Sequence, residues 1–390
     1  MSVIRYDAGE TDEQTSLRSA VRDLGARYGM AYTTEKVEAG QPPSELWAEA
    51  GRLGFLGVNL PEEYGGGGAG IYELSLVEEE LAAQGCGLLL MVVSQAINGT
   101  IISRFGTDEQ KRQWLPGIAS GEMITSFAIT EADAGSNSHQ ITSTARRVGD
   151  EWVLRGQKTY ISGVDQSAAT LVVAKVEGAQ GDRLRPALFL VPTDAKGYER
   201  TPMHMGLHLP ESQFQVFFDD VRLPADALIG SPEAGMAPLF AGLNPERIMG
   251  AAMSTGWARF AMDKAVGYAK SRSVFGAPIG SRQGLSHPLA DCKIQVELAK
   301  LMMQKAARLY DSGRDDIAGE PANMAKYAAA EAAIRTVDQA IQVHGGAGLS
   351  QEVELINLLG VTRLNRIAPV SREMVLNYVA HNSLGLPRSY

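Results

Sequence analysis

Apolar positions recur at three- and four-residue intervals through the first third of the chain, which predicts helices over about 12–120. Thr11 or Asp12 caps the first, and Thr15, Leu17, Val21 and Leu24 follow at near-helical spacing. Pro42-Pro43 breaks the chain before a helix holding Leu46 and Trp47. The run PEEYGGGGAG at 61–70 predicts a flexible loop, and two more helices follow over about 71–83 and 88–105. From 124 the pattern shortens. Segments 126–130, 141–148, 151–155, 170–175, 187–192 and 213–218 are mostly rich in β-branched or aromatic residues. Gly149-Asp150 and Gly181-Asp182 punctuate them, as in an antiparallel β domain. Long Ala/Leu/Met/Lys-rich helices return over 247–272, 288–312 and 321–343, with a shorter one at 371–381. The order predicts an α+β protein with an N-terminal helical domain (1–123), a middle antiparallel β domain (124–232) and a C-terminal four-helix bundle (233–390).

A chain of 390 residues is too long for one small core and fits two or three domains packed as one body. Its formal charge of −9, with no basic stripe, argues against nucleic acid as a partner. Cys86 and Cys292 lie outside any metal-ligand or disulfide spacing, so reduced thiols and no metal are expected. His139 and His344 have no partner spacing that would change this. The first residues lack a signal core or an Arg/Ser-rich presequence, and the most apolar run, 88–96, is too short to span a bilayer. A cytoplasmic protein without membrane attachment is the expectation.

The most informative stretch is FAITEADAGSNS followed by GDEWVLRGQKTYISG, between Phe127 and Gly163. Ala134-Gly135-Ser136 is a small turn after a strand, where backbone N–H groups come close to a phosphate or a flavin edge. Tyr160 offers a ring to a planar cofactor, and Ser162 a hydroxyl on the same strand face. Each feature alone is ordinary. Together they resemble the acyl-CoA dehydrogenase family, which has a T-E-x-x-A-G-S-[DN] segment and then a G-x-K-x-[WY]-I-[ST] segment. Residues 130–137 and 156–162 match these. Further on, VRLP at 221–224, RSVFGAP at 272–278 with Gln283, and QVHGGAG at 342–348 resemble three more family segments in the same order. The resemblance covers about residues 12–388.

The resemblance implies the family's fold, a bound FAD, and α,β-dehydrogenation of an acyl-CoA with electrons passed to an electron-transfer flavoprotein. It implies that Phe127, Ile129, Thr130, Gly135, Ser136, Tyr160, Ser162 and Ser371 line the flavin. Arg272, Phe275, Gln283, Gln342, Gly345 and Gly346 would serve the FAD of a neighbouring subunit, in a homotetramer built as a dimer of dimers. Arg272 suits a pyrophosphate as a fixed charge with planar donors. An oxidase or monooxygenase on the same scaffold, and a non-catalytic flavin protein, are the competing functions.

Removing an α-proton beside a thioester needs a base, and donors for the thioester oxygen. Much of the family uses the Glu of a Tyr-Glu-Gly segment about twenty residues after the double glycine. Here that stretch reads Arg366-Ile367-Ala368-Pro369-Val370-Ser371, with no Asp or Glu within three residues of Pro369. Either dehydrogenation is lost or the base comes from elsewhere. The branch that includes isovaleryl-CoA dehydrogenase carries its glutamate in the first long C-terminal helix, just before an Arg, and Glu246-Arg247 fall on that position. Asn244 as N-cap and Pro245 as first helical residue would put Glu246 in the first turn, where the helix end favours a carboxylate. Glu246 is therefore the expected base and Arg247 a substrate neighbour. Glu373 ranks second and Glu131 is read as structural. Met249 and Met253 read as core, with an acyl-pocket lining as the alternative. Proline has no N–H for the thioester oxygen, and a one-residue gap would give that role to Ala368.

Overall fold

The computed structural model describes residues 9–176, 185–231, 234 and 237–388. The turn expected at Gly181-Asp182 and the 232/233 division lie outside the described residues. The first layer is helical. In α1 (Asp12–Ala39), Thr11 Oγ1 accepts from the Gln14 N–H and Gln14 Oε1 accepts from the Thr11 N–H. This reciprocal cap satisfies two donors that a helix start leaves unpaired. α2 (Ser44–Arg52) follows the prolines, and α3 (Ile71–Ala83) is buried along nearly its whole length. A π-helical stretch, Met91–Gly99, runs into α4 (Thr100–Phe105), and α5 (Asp108–Ser120) closes the layer. The glycine-rich loop expected to be flexible is instead laced to the segment before it. Gly67, Gly68 and Ala69 donate to the carbonyls of Gly57, Leu60 and Val58. Gly66 serves close approach, because a Cβ there would lie 2.1 Å from the Leu60 carbonyl oxygen.

The middle sheet contains β1 (Thr125–Ala128), β2 (Thr144–Val148), β3 (Glu151–Ser162), β4 (Ala169–Val176), β5 (Arg185–Pro192), β6 (Tyr198–Met203), β7 (Gln213–Pro224) and β8 (Leu228–Ile229). Its order is β6-β7-β3-β2-β4-β5-β8, with β1 on β4. Most pairings are antiparallel as expected, but β1 and β2 both run parallel to β4. Neither is joined to β4 by a hairpin, so the antiparallel rule for tight connections does not apply. β6 was not foreseen: it carries exposed Glu199, Arg200 and Thr201 and so lacks an apolar alternation.

The third region holds α6 (Ala237–Ser271), a short hairpin of β9 (Ser273–Val274) and β10 (Ala277–Pro278), α7 (Gln283–Asp311), α8 (Asp315–His344), α9 (Leu358–Ile367) and α10 (Arg372–Tyr378). The three long helices pack on one another, and α9 and α10 fill the fourth place against α8. One apolar core spans α1, α3 and the bundle, and a second fills the β domain. A third joins Ile97 and Ile101 to Leu171, Leu188 and Leu190, so the helical layer and the sheet form one wall. Arg18 on α1 and Arg259 on α6 both pair with the buried Glu80 of α3, at 2.7 and 2.9 Å, which fixes the helix bearing Glu246.

Candidate active site

The turn at 130–136 is built from below. Glu131 is 5% exposed and accepts from the N–H and hydroxyl of both Thr142 and Ser143. The fully buried Lys158 donates to Glu131 and to the Ile129 carbonyl, both at 2.9 Å. Burial alone would raise the Glu131 carboxyl, but these hydrogen bonds outweigh it and hold the group at about 2. Gly156 permits the arrangement: its φ is 143°, and a Cβ would sit 2.3 Å from Ser143 Oγ. Glu131 is thus structural, as expected.

On the open side stand the expected flavin-lining groups. Thr159 N–H donates to the Thr130 carbonyl at 3.0 Å, which brings Tyr160 beside the turn. Tyr160 sits at a register shift in β3 with φ of 60° and is 57% exposed, a strained position that aims its ring outward. Ser162 Oγ donates to Gln213 Oε1 at 3.0 Å, and Phe127 and Ile129 are half-buried beneath. The hydroxyls of Thr130 and Ser136 have no hydrogen-bond partner among the described residues, and a Cβ on Gly135 would meet nothing within 4 Å. An outward ring, two unused hydroxyls and a bare backbone turn fit a planar, phosphate-bearing cofactor.

The candidate base, Glu246, differs from expectation in its setting. α6 begins by Ala237, so Pro245 lies inside the helix and Glu246 has two turns ahead of it. Asn244 does not cap; its Oδ1 accepts from Arg247 at 3.0 Å. The proline is tolerated because the carbonyl it deprives, that of Ala241, accepts from the Tyr310 hydroxyl at 2.8 Å. No local sequence signal announces that distant partner. The helix-end field fades within one turn, so it does not act on Glu246. Burial instead pushes the half-buried Glu246 up to about 7, with Arg247 and Lys326 opposing. A carboxylate poised there is suited to proton transfer near neutral pH.

The 368–371 loop lies against the same face of α6. Gly250 is one turn from Glu246, and a Cβ on it would be 3.8 Å from Pro369 Cδ. Asn365 fastens the loop's helix by donating to the Gly250 carbonyl at 3.1 Å and to Ser254 Oγ at 2.7 Å. The expected donor role of Ala368 fails: its N–H is committed to the Leu364 carbonyl at 2.8 Å, closing α9. Val370 supplies the loop's first N–H without a partner among the described residues. Ser371 Oγ accepts from the Met374 N–H and caps α10. Glu373 is 71% exposed and paired with Arg372 at 3.5 Å, which removes it as a candidate base. Arg247 also donates to the Leu243 carbonyl, and its buried Nε has no partner among the described residues. Met249 and Met253 are core.

The second predicted group assembles elsewhere. Tyr268 near the end of α6 stacks on His344 at the end of α8, with ring centroids 4.4 Å apart. That stack sets the end of α6, which leads into Arg272, beside the end of α8, which carries Gln342 and leads into Gly345 and Gly346. All four are exposed, as are Gln283 and Phe275, the last at 94%. Among the described residues no group of His, Cys, Asp and Glu could hold a metal ion, and no helix is long and apolar enough to cross a membrane. A buried charge beside the loop that the sequence reading missed is Lys326, on an alanine-rich face of α8. Its one signal was a charge at an apolar register.

A helical layer, a β domain carrying an open turn with an outward tyrosine ring, and a bundle carrying a poised carboxylate fit a flavin-dependent oxidoreductase. Models of the acyl-CoA dehydrogenase N-terminal, middle and C-terminal domains match residues 11–122, 126–221 and 233–384. The chain is 64% identical over 381 residues to acyl-CoA dehydrogenase FadE12 of Mycobacterium tuberculosis, covering 98% of each. Its fold is similar to that of glutaryl-coenzyme A dehydrogenase in complex with glutaryl-CoA, with a TM-score of 0.93 and 29% identity over 98% of both chains. It is also similar to a glutaryl-CoA dehydrogenase of Mycobacterium smegmatis in complex with FADH2 (TM-score 0.90, 26% identity, 98% and 97% covered). The chain belongs to the acyl-CoA dehydrogenase family, and its cofactor is FAD.

Proposed function

We propose that this enzyme converts an acyl-CoA to a trans-2-enoyl-CoA with Glu246 as base, as in the isovaleryl-CoA dehydrogenase branch. The observation that carries this is the placement of Glu246 on the α6 face that meets Pro369, where the loop itself has no acid. FAD, when bound, supplies the hydride acceptor. The α-proton passes to a Glu246 oxygen as the β-hydride leaves, and the C–H electrons at the α carbon become the new double bond. Thr130, Gly135, Ser136, Tyr160 and Ser162 hold the flavin side, with Ser371 at the loop. Arg247 borders the thioester, and the Val370 N–H replaces Ala368 as donor to its oxygen. An electron-transfer flavoprotein then takes the electrons, and the two buried, unbridged cysteines support a reducing cytoplasm.

Distance favours an oligomer. Arg272 lies 26 residues beyond Glu246, about 39 Å at the helical rise, too far for one flavin to serve both within a single chain. The Arg272 and Gln342 cluster therefore serves the FAD of another copy. Exposed Ile294, Leu298 and Leu301 on one face of α7 support the same homotetramer, a dimer of dimers. Arg272→Ala should lower FAD content per chain and shift the oligomer toward smaller species by light scattering; full FAD occupancy would count against this assignment.

The activity itself is tested by anaerobic titration of the FAD-loaded enzyme with butyryl-, octanoyl-, isovaleryl- and cyclohexanecarbonyl-CoA. At least one should bleach the flavin, and with product bound the reduced flavin should resist air. Rapid reoxidation would instead favour an oxidase, and no bleaching a non-catalytic flavin protein.

A further inference from the structure

Lysine is rarely buried without a carboxylate in hydrogen-bond reach. Lys326 is 2% exposed, on the face of α8 that also carries Ala322, Ala325, Ala329 and Ala330. Its Nζ donates to the Val370 carbonyl, in the loop that follows Pro369. The nearby acids on its own side are engaged elsewhere. Glu331 of α8 is held by Arg366 of α9 at 2.7 Å and by Arg372 of α10 at 3.2 Å, and Glu373 of α10 lies out with Arg372. Arg247 of α6 faces the same space, with Tyr378 of α10 acting on it. The charge that most favours the Lys326 ammonium is Glu246 across on α6. Burial pushes that ammonium down to about 8, so it stays largely charged near neutral pH.

We propose that Lys326 is a positioning residue for proton abstraction: its ammonium fixes the thioester loop through the Val370 carbonyl and favours the ionised form of Glu246 across on α6. The inference rests on Glu246 being the base. Acyl-CoA entry removes water from the crevice and disfavours a bare carboxylate. A buried cation that cannot turn away to solvent offsets this, whereas a water would be displaced. The α-proton still goes to Glu246; Lys326 neither gives nor takes one. A methionine would fill the same volume, so packing alone does not account for a charge here.

The test is the pH profile of anaerobic flavin reduction by the best acyl-CoA of the panel above. In Lys326→Met the acidic limb should move up by about one pH unit, the low end of what an opposite charge imposes. The rate near pH 7 should fall about fivefold, and most of it should return at pH 9. Lys326→Gln should do the same, which covers the case in which the methionine variant fails to fold. Lys326→Arg should restore the limb. A purely structural role would lower rates at every pH and leave the limb in place. An unmoved limb in the neutral variants, or the same shift in Lys326→Arg, overturns the proposal. If Glu246→Gln is impaired while the limb stays put, only this inference falls; if Glu246→Gln reduces its flavin normally, the base assignment falls first.

Discussion

Glu246→Gln should retain its fold and FAD and still bind acyl-CoA, yet reduce its flavin about 10²–10⁴-fold more slowly than the wild type. Glutamine preserves the shape and hydrogen-bonding reach of the side chain and removes only its capacity to take a proton. Rapid mixing with an acyl-CoA, followed by flavin absorbance, isolates that step from reoxidation. The wild-type rate should climb with pH and level off above about 7, because burial holds Glu246 protonated below that range and only the ionised form acts. Glu373→Gln should change little, since that side chain is 71% exposed. Adding Pro369→Glu to Glu246→Gln should recover part of the rate, because position 369 adjoins the same face of α6. A Glu246→Gln enzyme that bleaches at the wild-type rate would return Glu246 to an ordinary half-buried helix carboxylate.

The parts of this picture legible in the sequence are those written locally. The Thr11 cap, the ends of α3, most strand cores and the small turn at 134–136 depend on neighbours within a few residues. The candidacy of Glu246 also came from the sequence, by its place before Arg247 and the missing acid near Pro369. Its environment did not. Proline reads as a helix start from local sequence, and here it sits mid-helix because the orphaned carbonyl of Ala241 is taken by Tyr310, 69 residues from it in sequence. The same limit hid Lys326. An isolated lysine in an alanine-rich helix reads as surface charge until α6 and the 368–371 loop close over it. The Ala368 donor failed for the opposite reason: a helix end three residues from the crevice consumes its N–H, and helix ends are the least certain feature of a sequence reading.

Lys158→Met should lose about 3 kcal/mol of stability in the β domain and release FAD at a lower temperature. The lysine is fully buried and joins two things the flavin turn needs, the Ile129 carbonyl and the Glu131 carboxylate. Methionine matches its length, so the packing of β3 is kept while both bonds go. The loss should lie at the low end for a broken buried pair, because Glu131 keeps four donors from Thr142 and Ser143. The sign of the pH effect follows from Glu131, held at about 2 in the fold against 4.5 when free. Its stabilisation is complete above about 4.5 and is lost as pH falls toward 2. Without Lys158 the folded value rises, so acid should release FAD from the variant at a higher pH than from the wild type. Glu131→Gln completes a double-mutant cycle, in which the paired variants should cost less than the sum of the single ones. Additive costs, or unchanged flavin release on heating and in acid, would show that the turn is held by Thr142 and Ser143 alone and that the buried lysine is dispensable to the cofactor site.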